Sequence, residues 1–145
     1  MYYDYSYPFS RQPDNLAGDV LKAINGEFNA IQCYNKLLKI VSTEKEKEVI
    51  REIIIDENNH LEKFTQIYYN LAGRQPEITR NKDCPKGIKE IFEFAFEDEQ
   101  ETTDFYLDIA DQSEDVRISE VFTRASADEQ NHAVWFLYFL TKPRL

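Results

Sequence analysis

The sequence predicts an all-α fold, and within that class a bundle of four long helices. Glycine and proline are scarce, with 4 and 5 residues in a chain of 145, which favours long helices over strands and turns. Apolar residues recur in alternating steps of three and four along four segments, as expected for helix faces that pack into a core. The four segments also form two halves that repeat each other.

The first two helices are predicted at 16–42 and 44–72. In the first, the inward positions are Val20, Ile24, Glu27, Ile31, Tyr34, Leu38 and Val41. Ser42 or Thr43 can cap the second helix, where Glu46 is spaced for a capping box. The connection between these two helices is short, so they form a hairpin.

The third and fourth helices are predicted at 87–111 and 115–141, and Ser113 or Asp115 can start the fourth. Before them lies 73–86, which contains two prolines and has no helical periodicity. Extended at about 3.3 Å per residue, this segment could span roughly 45 Å, the length of a bundle. We therefore expect a long crossover that leaves helices two and three parallel; a loose loop is the alternative.

Composition indicates one folded unit, expected at 16–145, preceded by a tyrosine-rich tail at 1–15. The tail is expected to be disordered or docked on the surface, and it could also attach the protein to a larger assembly. The net charge of −10 argues against nucleic acid and against anionic membranes. With neither a signal peptide nor an apolar run near ~18 residues, a cytoplasmic protein is expected.

Cys33 and Cys84 are too few for a zinc ribbon or a four-cysteine iron site. The expectation is two free thiols in a reducing compartment.

A shift of 72 residues aligns the two halves of the chain and brings their ionisable residues into register. The phrase Asp56-Glu57-Asn58-Asn59-His60 falls on Asp128-Glu129-Gln130-Asn131-His132, and these two histidines are all that the chain contains. Glu27 aligns with Glu99, and Tyr34 with Tyr106. The identities gather around residues capable of metal chemistry, so we interpret the halves as two copies of a helical hairpin.

Six ionisable residues occupy inward positions where an ordinary bundle would carry leucine or isoleucine: Glu27, Glu57, His60, Glu99, Glu129 and His132. Buried carboxylates without compensation are costly and repel one another, and a central cation would resolve both problems. One Glu from each of two helices, with Glu-x-x-His from each of the other two, is the ligand set of di-iron and di-manganese bundles. The sequence therefore predicts one dinuclear centre, for which iron or manganese is favoured and zinc is an adventitious alternative.

Four further residues are candidates for supporting the ligands. Asp56 and Asp128 could reach the adjacent motif helix and accept a proton from a metal-bound imidazole, or they could be surface residues. Tyr34 and Tyr106 could hydrogen-bond a ligand carboxylate or serve in electron transfer, or they could belong to the core.

Over residues 16–141 these motifs resemble the ferritin-like di-iron carboxylate superfamily, and most of all the di-iron domain of rubrerythrins. The resemblance implies a ferritin-like bundle with two iron ions that reduces hydrogen peroxide or dioxygen, or oxidises Fe(II). The chain lacks rubredoxin cysteines, so an external electron donor is expected. Thr102 stands where rubrerythrins carry an additional carboxylate, which departs from the peroxidase pattern.

A non-catalytic role is the alternative hypothesis. The metal site would then serve structure or metal buffering in a component of a larger assembly such as a spore coat. A homodimer is expected in either case.

Overall fold

The computed structural model describes residues 14–80 and 83–144. In these residues, four long helices form the predicted bundle. The helices are α1 (Asp14–Ile40), α2 (Glu44–Ala72), α3 (Ile88–Gln112) and α4 (Val116–Thr141). Within the described residues, α1 packs on α2 and α3, and α4 packs on α3 and α2. The helices α1 and α2 form the first hairpin, and α3 and α4 form the second. The predicted all-α four-helix fold is confirmed.

The two hydrophobic clusters show the direction of each helix. One cluster joins the end of α1 and the start of α2 to the start of α3 and the end of α4. The other joins the opposite four ends. Since α2 and α3 begin at the same end of the bundle, they are parallel, and the segment between them is the predicted crossover.

The helix ends agree with the predicted caps. Thr43 accepts the N–H of Glu46 and donates its hydroxyl to the Glu46 carboxylate, so the two side chains pair reciprocally at the start of α2. Asp115 caps α4 by accepting the N–H of Arg117. The first helix ends at Ile40 rather than 42, although buried Val41 still donates its N–H to the Leu37 carbonyl. The apolar pattern therefore continues one residue beyond the helix.

The predicted tail at 1–15 lies outside the described residues except for 14 and 15, which belong to α1. No helix in the described part of the chain is long and apolar enough to cross a membrane.

The crossover lies along α1 and is joined to it covalently. The N–H of Thr79 donates to the side chain of Asn25, and further along, Cys84 forms a disulfide with Cys33. The expectation of two free thiols was therefore wrong. The two cysteines are 51 residues apart in sequence, but the path of the crossover brings their Cα atoms within 5.3 Å.

Candidate metal centre

All six predicted ligands lie in the middle of the bundle, between the two hydrophobic clusters. Each is buried, and none is more than 4% exposed. Glu27 comes from α1, Glu99 from α3, and the two Glu-x-x-His pairs come from α2 and α4. The three-residue spacing within each pair places its carboxylate and imidazole on the same helix face.

The six side chains form two groups of potential ligands that share two carboxylates. One group contains Glu27, Glu57, His60 and Glu129, and the other contains Glu57, Glu99, Glu129 and His132. In each group, the candidate donor atoms lie within 4.8 Å of one another. Glu57 and Glu129 belong to both groups, so they stand where bridging carboxylates of a dinuclear site would stand. All six residues therefore lie together in the structure, and their role as metal ligands stays a prediction.

The spacing of the donor atoms suits a cation between them. His60 Nδ1 lies 3.2 Å from a Glu129 oxygen and 3.4 Å from a Glu27 oxygen. His132 Nδ1 lies 3.1 Å from a Glu57 oxygen and 3.6 Å from a Glu99 oxygen. Two donors at roughly 2.1 Å from one ion and at right angles would be about 3 Å apart.

At least one donor atom of each of the six side chains has no hydrogen bond within the described residues. These buried atoms without a partner are Oε2 of Glu27, Oε1 of Glu57, Oε2 of Glu99, both carboxylate oxygens of Glu129, and Nδ1 of His60 and His132. Buried polar atoms are nearly always hydrogen-bonded, because leaving one unpaired costs about 1–3 kcal/mol. In a metal site, the donor atoms that bind the metal ions have no other partner. The seven atoms here show this pattern. The residues therefore fit a pair of metal ions.

The two aspartates hold the imidazoles from the opposite hairpin. Asp128 lies 2.8 Å from Nε2 of His60, and Asp56 lies 2.8 Å from Nε2 of His132. A carboxylate at Nε2 favours a proton on that nitrogen, which leaves the Nδ1 lone pair for a metal. The predicted reach of each aspartate to the adjacent motif helix is confirmed.

The two tyrosines also cross between the hairpins. Tyr34 donates to Oε1 of Glu99 at 2.6 Å, and Tyr106 donates to Oε1 of Glu27 at 2.5 Å. Burial raises the pKa of both phenols well above the ordinary value, and the nearby carboxylates raise it further. Both tyrosines therefore remain protonated donors that fix one oxygen of a carboxylate and leave the other facing the centre.

In the metal-free protein, four residues of the centre have raised pKa values and therefore bind protons more strongly than usual. Burial raises the pKa of Glu27 and Glu99, and the carboxylate of Glu57 raises that of Glu27 further. Burial opposes the charged imidazolium, but the Glu27 and Glu57 carboxylates outweigh it and raise the pKa of His60 to about 11. For His132, Asp56 and the neighbouring glutamates raise the pKa to about 12 against the same opposition. Protons thus compensate the charge in the metal-free protein.

Thr102 brings no carboxylate to the centre. Its hydroxyl donates to the backbone carbonyls of Asp98 and Glu99, and the side chain is half-buried. Asp98 and Glu101 line a groove between α1 and α3 instead of joining either ligand group. The departure from the rubrerythrin pattern therefore persists in the structure.

Comparisons with known proteins identify the family of this bundle. The family profile described as "Ferritin: Ferritin-like domain" matches residues 20–145. The chain belongs to the ferritin-like family. This ferritin-like chain is also 44% identical over 139 residues to the uncharacterized protein YhjR of Bacillus subtilis (strain 168), covering 96% of this chain and 95% of that protein.

Two solved structures share the fold of this ferritin-like protein at low sequence identity. A ferritin-like di-iron carboxylate protein from Bacillus anthracis str. Ames superposes with a TM-score of 0.76 at 24% identity, covering 91% of this chain and 99% of that chain. The bacterioferritin of Desulfovibrio desulfuricans, solved with its di-iron site in different catalytic states, gives a TM-score of 0.76 at 22% identity, covering 89% and 80%. At these identities the likeness shows the fold alone.

Proposed function

We propose that this ferritin-like protein binds two iron ions and is an oxidoreductase that reduces hydrogen peroxide or dioxygen with electrons from an external donor. One observation carries the proposal: seven buried donor atoms have no hydrogen bond within the described residues, and they belong to two groups of side chains that share Glu57 and Glu129. The mixture of carboxylate oxygen and imidazole nitrogen favours iron or manganese, while zinc could also bind. Zinc does not change its oxidation state, as this reaction requires, and of the two redox-active metals iron is the one proposed.

The protein residues would hold and orient the reactive metals. When bound, a di-iron centre would supply two electrons, which together with two protons convert hydrogen peroxide to two molecules of water. Asp56 and Asp128 keep the two imidazoles in the tautomer with Nδ1 available, and the tyrosine hydroxyls restrict Glu27 and Glu99. The two hydrophobic clusters lie on either side of the centre and limit the access of water from the ends of the bundle.

Iron stoichiometry and its spectrum test the metal assignment. The purified protein should bind two iron ions per chain and develop an oxo-bridge absorption after oxidation, and both should be lost in Glu57→Ala/Glu129→Ala. Glu46→Ala is the matched control, because Glu46 is also buried but lies outside both ligand groups. If the double variant retains the spectrum, the assignment is wrong.

Turnover tests the reaction. With a reduced rubredoxin or flavoprotein as donor, the iron-loaded protein should consume peroxide or dioxygen faster than the same concentration of free iron. The glutamate double variant should fall to the rate of free iron. Rapid oxidation of added Fe(II) without consumption of donor electrons would instead assign the protein to iron oxidation.

A non-catalytic metal site is the second candidate, favoured by the way each ligand group takes donors from both hairpins. Bound metal would then hold the two hairpins together, in a component of a larger assembly such as a spore coat. Its expected signature is a large rise in melting temperature with metal, together with peroxide consumption no faster than that of free iron. Turnover supported by the external donor would exclude this alternative.

A further inference from the structure

A groove on the α1–α3 face approaches the candidate centre from the side. Its volume is about 320 Å³. On α1 its wall includes Ala23, Gly26 and Ala30, and on α3 it includes Phe94 and Phe105. The wall is therefore mainly apolar, and the volume falls at the lower end of the range typical of pockets for small organic molecules.

Gly26, which lines this groove, has no other structural explanation in the described part of the chain. Glycine inside a helix destabilises it by roughly 1 kcal/mol relative to alanine. Gly26 has no positive φ, and a Cβ built on it would meet no atom of the described residues within 4 Å. Neither backbone conformation nor close packing requires a glycine here. Its effect is to leave open space beside Glu27, the next residue in the chain.

Two side chains that line the groove also form hydrogen bonds to candidate ligand residues. Tyr106 lines the groove and donates its hydroxyl to Glu27. Thr102 also lines it and donates to the backbone carbonyl of Glu99. A molecule in the groove would therefore lie directly against the residues that support two ligands of the proposed centre.

The size of the groove exceeds what the smallest oxidants need. A water molecule occupies about 30 Å³ in the liquid, so hydrogen peroxide or dioxygen would fill only a small part of 320 Å³. The charged residues around the groove disfavour an anion, because Asp98 and Glu101 are both acidic. The ammonium group of Lys22 lies over the Phe105 ring, 4.9 Å from its centroid. A neutral molecule with an apolar body is the best complement.

We propose that the groove binds a neutral organic hydroperoxide, with its apolar body between Phe94 and Phe105 and its hydroperoxide group toward Tyr106. The inference rests on the proposed function and names its substrate class. In the reaction the O–O bond breaks, and ROOH takes up two electrons and two protons to give ROH and H2O. The two electrons come from the reduced di-iron centre, and the external donor then restores them.

The kinetic test compares cumene hydroperoxide with hydrogen peroxide in the iron-loaded full-length protein. The wild type should have a higher kcat/KM for cumene hydroperoxide than for hydrogen peroxide. Gly26→Leu, which places an isobutyl group in the groove, should lower the ratio of the two kcat/KM values at least tenfold. Gly18→Leu is the matched control, because Gly18 is also an α1 glycine with no atom within 4 Å of its built Cβ and does not line the groove. It should leave both values unchanged.

A binding measurement tests the groove without turnover. Cumyl alcohol, the unreactive product, should bind saturably to the metal-free wild type and to Gly18→Leu in a calorimetric titration. Binding to Gly26→Leu should be at least tenfold weaker, although that variant should melt at or above the wild-type temperature because a helix-interior glycine has been removed. Equal binding by all three proteins would overturn the inference.

The outcomes separate this inference from the proposed function. If the wild type reduces hydrogen peroxide but shows no preference for cumene hydroperoxide, the groove assignment fails and the proposed function stands. If neither the two peroxides nor dioxygen is reduced with the external donor, both fail. Binding of cumyl alcohol only by a chain that begins at residue 14 would also overturn the inference, because it would assign the groove to the chain's own N-terminal segment.

Discussion

Replacement of Glu129 by methionine should stabilise the metal-free protein, although Glu129 lies at the centre of the bundle. Both of its carboxylate oxygens are buried without a hydrogen-bond partner among the described residues. Methionine has a similar length and volume and carries no group that needs a partner. The substitution therefore removes a carboxylate that has no hydrogen bond within the described residues, without opening a cavity.

The expected gain follows from the two unpaired oxygens. An unsatisfied buried polar atom costs about 1–3 kcal/mol, so removal of this carboxylate should raise the free energy of unfolding by about 2 kcal/mol. For a domain of this size, that corresponds to an increase of roughly 6–8 °C in melting temperature. The gain should disappear with iron, since a bound metal stabilises the wild type by about 4 kcal/mol at a thousandfold excess over Kd.

Glu46→Met provides the matched control for this prediction. Glu46 is buried like Glu129, but its carboxylate accepts the Thr43 hydroxyl and pairs with Arg144. Its removal leaves partners unpaired and should destabilise the protein by about 1–3 kcal/mol. Urea unfolding in EDTA, followed by circular dichroism, measures both variants. The reasoning is refuted if Glu129→Met destabilises the metal-free protein as much as Glu46→Met does.

Two further predictions concern the metal-free protein. Reduction of the Cys33–Cys84 disulfide, which closes a loop across 51 residues, should lower the free energy of unfolding by about 4 kcal/mol. The urea midpoint should then fall by about 2 M, and an unchanged midpoint would contradict a stabilising role. Stability in EDTA should also fall as pH rises from 6 to 9, because Glu27, Glu99 and both histidines have raised pKa values and the folded state binds more protons than the unfolded chain. Melting temperatures measured across this range test the predicted fall in stability, and a rise with pH would contradict it. Iron binding should strengthen over the same range, since the ligands of iron must be deprotonated.

The sequence was sufficient to predict the helices and the convergence of the ligands. Helices of this length bury a continuous row of apolar side chains, so ionisable residues at those inward positions could be recognised in the sequence as exceptions. The 72-residue repeat then paired Glu27 with Glu99 and each Glu-x-x-His with its copy. Because these residues sit at matched heights in two similar hairpins, their meeting required no knowledge of individual side-chain contacts.

Features that depend on the three-dimensional path of the chain were not predictable in the same way. The disulfide joins a helix to an irregular segment, and nothing in the spacing of Cys33 and Cys84 indicated that pairing. The groove depends on the combined volumes of side chains from α1 and α3, although Gly26 was visible in the sequence as a glycine within a helix. Each tyrosine was recognised as a potential donor, but its acceptor is on the opposite hairpin rather than on its own helix.

The hydrogen bonds that join the two tyrosines and the two aspartates to the candidate ligands all pass from one hairpin to the other. A separated hairpin would therefore hold half of the ligands and none of these supporting contacts. The crossover joins the two hairpins as a tether, and short tethers give effective concentrations on the order of millimolar. Formation of the centre is thereby an intramolecular event that does not depend on the concentration of the protein. Cutting the crossover would convert it into association between two fragments only when the Cys33–Cys84 disulfide is also reduced.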